Sequence, residues 1–288
     1  DIIAAYLEQE LPIIGDSKLT PDEVGPLRVS LRLMRQCYGS MITQRISLKA
    51  NSRQLTFETQ VDWHERQRLL KVGFDLAINT RHATYDIAYG NIQRPTHRNT
   101  SQDAARFEVP AHWWMDMSEA GYGVALLNDS KYGHEAHGHM LRLTLLKGSI
   151  SPDPHADRET HHFTYVLYPH VGGWREADVM GAAARLNVPP YARRTDWPPD
   201  THSYLHYNAP NVTLEALKQS EDGADAVLRL VEQHNRRTPL TLHFDRPIQA
   251  AYRCDLMEAN EQPLVVSGTD VTLVLNPCEI VTLRLRLS

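Results

Sequence analysis

The stretch Leu55 to Leu76, LTFETQVDWHERQRLLKVGFDL, restricts the possible folds of this chain more than any other. Leu55, Phe57, Thr59, Val61 and Trp63 fall on one side of an extended backbone, and Thr56, Glu58, Gln60 and Asp62 on the other. That is the period-two pattern of a half-buried strand. Five polar residues, His64 to Arg68, interrupt it, and Leu70, Val72, Phe74 and Leu76 then alternate with Lys71, Gly73 and Asp75. The spacing predicts two antiparallel strands joined near His64 to Gln67, a core hairpin of a β-sandwich.

Similar runs recur along the chain. Leu27 to Tyr38 and Met41 to Leu48 read as strands hinged at Gly39-Ser40, followed by Tyr85 to Ile92, Phe107 to Met117, Gly123 to Asp129, Met140 to Lys147 and His162 to Pro169. Between them, Gln93 to Ala104 is polar and aperiodic and reads as a surface loop, the part of a β scaffold where function sits. Asp178 to Asn187 is the best helix candidate, with Val179, Ala182, Ala183 and Leu186 on one side and a strand as the alternative. Val188 to Asp200 holds four prolines in thirteen residues and reads as a linker. Seven short alternating segments follow: Ser203 to Tyr207, Val212 to Ser220, Ala226 to Gln233, Leu240 to Phe244, Ile248 to Cys254, Thr269 to Leu275 and Ile280 to Leu287. The chain is therefore expected to be all-β, a large sandwich over residues 1–190 and a smaller β-sandwich over residues 201–288.

A net charge of −5 with no long run of either sign offers nothing to nucleic acid or an anionic membrane. No apolar run is long enough to span a bilayer, and the N-terminus lacks the basic and apolar regions of a secretory signal. The chain does not begin with Met, so a processed product or part of a longer chain is an open reading. Cys37, Cys254 and Cys278 have no metal-like spacing and fit free thiols in a reducing compartment. Cys37 and Cys278 lie in strand-like segments, where small buried filler is the expected role.

The densest polar cluster is NDSKYGHEAHGH, Asn128 to His139. His134, His137 and His139 could share a metal ion, or form a flexible loop of solvated histidines. Asp116, Glu119, Asp129, Asp153 and Asp157 are available for paired-carboxylate chemistry, but spacing does not pair them. A nucleophile elbow, a phosphate-cradling glycine loop, a dinucleotide fingerprint and an H-E-x-x-H helix are all missing, which favours a binding or supporting role. Alternation allows only one of Trp113 and Trp114 to face the core, leaving the other for a surface or cleft where a ring can pack on a sugar.

Four blocks carry a resemblance when taken together: TQRISLKANSRQLTFETQVDWHERQRLLKVGFDL, YDIAYGNIQRPTHRNTSQDAARFEVPAHWW, GYGVALLNDSKYGHEAHGHMLRLTLLKG and PDPHADRETHHFTYVLYPH. In order and wording they resemble the C-terminal half of α-mannosidases of glycoside hydrolase family 38, of the cytosolic and bacterial branch. The resemblance implies a galactose-mutarotase-like β-supersandwich followed by a smaller β domain. It also implies retaining hydrolysis of α-mannosides, with the nucleophile, the acid/base and the zinc ligands on an N-terminal α/β barrel that this sequence does not contain. No catalytic or metal residue is then expected here, and zinc is expected for the full-length enzyme. The matching loops YGNIQRPTH and NDSKYG nominate Tyr89, Arg94, His97, Asp129, Lys131 and Tyr132 as sugar contacts; shaping of loop turns is the competing role for each. The implied partners are an α-mannoside and the N-terminal catalytic domain of the same protein, with a homo-oligomer possible and a cytoplasmic location. Two alternatives stay open: a non-catalytic carbohydrate-binding or subunit-docking module, and a mutarotase-like epimerase using His97 and Asp129.

Overall fold

The structure is a computed structural model that describes residues 8–13, 15–196, 200–259 and 261–287. The chain divides into two compact units, Asp1–Ile87 with Ile92–Tyr191, and Ala88–Asn91 with Ala192–Ser288. The expected linker carries no regular secondary structure over 189–195, and its residues 197–199 lie outside the described residues.

The first unit contains β1 (Ser17–Val24), β2 (Arg28–Cys37), β3 (Ser40–Lys49), β4 (Leu55–Asp62), β5 (Leu69–Asp75), β6 (His82–Ile87), β7 (Gly90–Pro95), the short helix α1 (Ser101–Ala105), β8 (Val109–Pro110), β9 (Trp114–Ser118), β10 (Tyr122–Asn128), β11 (Gly133–His137), β12 (Met140–Lys147), β13 (Thr160–Val171) and helix α2 (Val179–Asn187). Nine strands form one sheet in the order β1-β2-β3-β4-β13-β10-β9-β6-β7, and four form a second in the order β5-β12-β11-β8. Their facing surfaces enclose the main core, which includes Val61, Trp63, Tyr85, Met115, Leu126, Leu141, Leu143 and Phe163. The all-β expectation holds.

The opening stretch buries the side that its alternation predicts, with Val61 and Trp63 almost fully enclosed. It is not a hairpin. Strand β4 pairs with β3 and β13 in the large sheet, whereas β5 pairs with β12 in the small one. Residues 63–68 therefore form an arch from one sheet to the other. Glu65 Oε1 accepts from the Gly39 N–H at 2.8 Å and the Ser40 hydroxyl at 3.0 Å, tying the arch to the β2–β3 turn. Gln67 donates to the Gly148 carbonyl at 2.6 Å, and Gly148 donates back to the Arg68 carbonyl at 2.9 Å. Period-two alternation says which side of a strand is buried but not which strand lies beside it, so a hairpin and an arch read alike.

Helix α2 forms where a helix was the better candidate. Val179, Ala182 and Ala183 pack with Trp174 on Trp114, Ala125, Leu127 and Val166, the face of the large sheet opposite the main core. Asp178 caps it by accepting from Gly181 N–H at 3.1 Å. The expected strand Phe107 to Met117 is two pieces, β8 and β9, and β1 had no clear pattern because Pro21 and Asp22 interrupt it, which an edge strand tolerates.

The second unit contains β14 (Leu205–His206), β15 (Val212–Gln219), β16 (Ala226–Glu232), β17 (Thr238–Phe244), β18 (Ile248–Cys254), β19 (Gln262–Pro263), β20 (Val265–Ser267), β21 (Asp270–Leu275) and β22 (Ile280–Leu287). Sheets β14-β17-β21-β20 and β15-β16-β22-β18-β19 close on a core of Leu228, Leu230, Leu242, Val271, Leu283 and Leu285, among others. All seven expected segments contribute strands. Cys37 is buried filler as expected, but Cys278 is not: it sits exposed in the turn before β22 with a φ of 53°.

Candidate functional site

Asn128, at the end of β10, organises the NDSKYG loop. Its Oδ1 accepts from the Lys131 N–H at 2.6 Å, and its Nδ2 donates to the His112 carbonyl at 3.0 Å and lies 3.3 Å from His134 Nε2. The other ring nitrogen of His134 is 3.0 Å from the Tyr132 carbonyl. A carbonyl only accepts, so Nδ1 carries the proton and Nε2 accepts from Asn128. Burial pushes this imidazole down to about 4, which keeps it neutral.

Asp129 is drawn into the same scaffold, accepting from Thr164 N–H at 2.8 Å and Ser130 Oγ at 3.0 Å. Lys131 Nζ lies 4.2 Å over the Phe163 ring, and burial holds its ammonium below the ordinary value. Tyr132 is exposed, edge-on to His112, and Trp113 is the exposed member of the tryptophan pair while Trp114 is buried. Asp129 and Lys131 therefore shape the loop. Tyr132 and Trp113 present rings of the kind that pack on the C–H face of a sugar.

The other nominated residues sit elsewhere. Tyr89 is exposed at the β6–β7 turn with a φ of 54°. Arg94 and His97 line a cleft with Tyr85, Arg98, Arg106 and Glu135, while Asp129, Lys131 and Tyr132 do not. The cleft has a volume of about 10 Å³, room for a water-sized group and not for a pyranose. Arg94 lies over the Tyr85 ring at 4.8 Å, and its Nη1 is buried without a hydrogen-bond partner. Helix α1 closes the rim through a capping box: Thr100 Oγ1 accepts from Asp103 N–H at 3.1 Å, and Thr100 N–H donates to Asp103 Oδ2 at 3.2 Å. His97 Nδ1 is 3.7 Å from that same carboxylate.

The three clustered histidines diverge, with His134 buried and His137 and His139 exposed. His134 faces the core from β11, and His139 Nδ1 is 2.9 Å from the Ile78 carbonyl. Among the described residues, no group of three or more His, Cys, Asp or Glu side chains could hold a metal ion. Strand β11 escaped the sequence reading because a histidine at an inward position looks polar. Each acid considered for catalysis serves the fold: Asp116 meets His170 Nε2 at 2.8 Å and Ser118 Oγ at 2.5 Å, and Glu119 accepts from Asn79 N–H at 3.0 Å. Asp153 accepts from His155 N–H at 2.8 Å, and Asp157 from Lys147 N–H at 3.2 Å.

Two charged features were not foreseen. Glu135 is buried and receives Lys71 at 2.8 Å, Arg98 at 3.1 Å and Arg142 at 3.2 Å. Burial alone would lower the Lys71 ammonium, but the Glu135 and Glu108 carboxylates hold it above its ordinary value. Only the register of β5, β12 and β11 brings these residues side by side, and register is not written in spacing. The second is Asp86, buried with Trp113 N–H donating to it at 2.9 Å; burial pushes its carboxyl up to about 7. A groove of about 670 Å³ runs between Glu8–Ile13 and the small sheet, floored by Trp63, Leu70 and Met140; none of the six nominated residues lines it.

The chain matches the glycosyl hydrolases family 38 C-terminal domain over residues 3–155 and the family 38 C-terminal beta sandwich domain over residues 211–283. It is 39% identical over 294 residues to alpha-mannosidase 2C1 of Homo sapiens, covering 99% of this chain and 28% of that protein. It is 36% identical to alpha-mannosidase G of Dictyostelium discoideum, covering 96% of this chain and 27% of the relative. The chain thus spans little more than a quarter of these relatives. An alpha-mannosidase from Enterococcus faecalis V583 has the same fold, with a TM-score of 0.74 at 18% identity over 94% of this chain and 35% of that one. The chain therefore belongs to glycosyl hydrolase family 38 and corresponds to its C-terminal β region.

Proposed function

We propose that this chain is the C-terminal β portion of an α-mannosidase, which packs on the catalytic portion of the enzyme and shapes one wall of its sugar pocket. One observation carries the reading. The inner face of the large sheet extends past the small sheet and leaves Leu19, Val24, Val29, Leu31 and Leu48 exposed in neighbouring register. The same strands carry a polar opposite face, where Asp22 binds Ser30, Arg32 and Arg45, so the uncovered side is the one built for burial. Relatives more than three times as long supply a partner for it: the remaining, N-terminal part of the same protein.

In this reading the retaining chemistry and the zinc expected for the full enzyme belong to that other part. The described residues do not fit a zinc seat, and the acids considered for catalysis are bonded into the fold. The contribution of this chain to the pocket is Tyr132, on the loop that Asn128 holds, and Trp113, whose carbonyl accepts from Asn128 N–H at 2.9 Å. Arg94 and His97 line a separate small cleft, with His97 exposed at its rim. Release of a chromogenic aglycone from an aryl α-mannoside tests the division of labour. The 288-residue chain is expected to show no turnover above buffer, and steady zinc-dependent release by the chain itself would overturn it.

A further inference from the structure

We infer that the cleft between Arg94 and Arg106 binds a halide-sized anion, chloride under ordinary conditions, which joins the free edge of the large sheet to strand β11 of the small one. It is lined by three arginines, the half-buried Arg94 and Arg98 and the exposed Arg106, together with His97 and the acidic residues Asp103 and Glu135. The carboxylates are already engaged. Glu135 is shared by Arg98 with Lys71 and Arg142, two cations from outside the cleft, and Asp103 caps helix α1. No ion pair is formed by Arg94 or Arg106 among the described residues, and the positive charge of Arg106 adds to the strain of burial on Arg94.

Arg94 is half-buried with one guanidinium nitrogen enclosed, and an opposite charge beside that nitrogen would offset its partial desolvation. The Tyr85 face beneath Arg94 supplies part of that attraction, but the buried Nη1 still has no acceptor. The volume of about 10 Å³ limits the ligand to one small ion whose entry the flexible Arg94 and Arg106 side chains must widen slightly, and it leaves no room for sulfate, phosphate or a sugar carboxylate. A monatomic anion, which imposes no planar geometry, also suits a site lined by arginines from β7, the segment after it and the end of helix α1.

The test compares the chain in sodium chloride, bromide, gluconate and sulfate at one matched ionic strength. Chloride and bromide are expected to raise the melting temperature by about 3–5 °C over gluconate, the shift for a halide near tenfold its dissociation constant. Arg94→Gln is expected to abolish the halide difference, while the general stabilisation that sulfate gives a folded chain is expected to be the same in parent and variant. Bromide-soaked crystals give a second reading that does not depend on a variant folding: an anomalous peak between Arg94 and Arg106. A cleft without that peak, or a halide stabilisation that Arg94→Gln leaves unchanged, would overturn the assignment. Loss of mannosidase activity plays no part in either readout, so failure here leaves the proposed function untouched.

Discussion

At the residue scale, two buried groups set opposite pH dependences. His134 titrates at about 4 in the folded chain against 6.5 ordinarily, so the unfolded chain takes its proton first as the solution is acidified. The stability from keeping that ring neutral is present above pH 6.5 and is lost as the pH falls toward 4. Asp86 runs the other way: its folded value of about 7 lies above the ordinary 3.8, so its stability is present below pH 3.8 and is lost as the pH rises through 7. Asp86→Asn keeps an oxygen for the Trp113 N–H and removes the charge. Urea unfolding should find that variant more stable than the parent by about 2–4 kcal/mol at pH 8, with the difference gone near pH 4. Without Asp86 to offset it, the variant should lose about 2–3 kcal/mol between pH 6.5 and 4.5 through His134. A difference that does not change with pH would show that Asp86 is ionised in the fold.

At the element scale, the arch between β4 and β5 is held by close backbone contact. A Cβ at Gly148 would stand 2.3 Å from the Glu65 carbonyl oxygen, whereas one at Gly121 meets nothing within 4 Å. Gly148→Ala should therefore destabilise the first unit by about 1–3 kcal/mol, with Gly121→Ala near neutral, as measured by urea midpoints. Equal midpoints would mean that the arch is loose. The arch also marks where sequence reading stopped. The buried sides of β4 and β5, the α2 stripe and the strands of the second unit were legible because burial imposes a period. The arch, strand β11 and the Glu135 cluster were not, since pairing partner and register come from contacts far apart in the chain. The site divides in the same way. The Asn128 and Arg94 loops could be found from their wording, but which of their side chains turn outward depended on Thr164, Phe163 and Tyr85, which no local pattern connects to them.

At the scale of the whole molecule, what matters is the apolar face that β1, β2 and β3 leave uncovered. Val24 is 84% exposed, Leu19 57% and Val29 47%, yet they lie on the side of the sheet that elsewhere carries Val61, Tyr165 and Phe163 into the core. Burying each such side chain is worth about 1.5–3 kcal/mol, so the face is too costly to leave in water when a covering surface is at hand. The chain by itself should bind an apolar dye such as ANS and self-associate in sedimentation at high concentration. Replacing Val29 and Leu31 together by lysine should weaken both with little change in melting temperature, because these side chains, 47% and 41% exposed, can carry their ammonium groups into solvent. The same two lysines placed in a full-length relative should do the opposite, lowering its melting temperature and its mannosidase activity together, because a partner surface would then meet two unpaired charges. A full-length enzyme indifferent to them would mean that its catalytic portion sits on some other face.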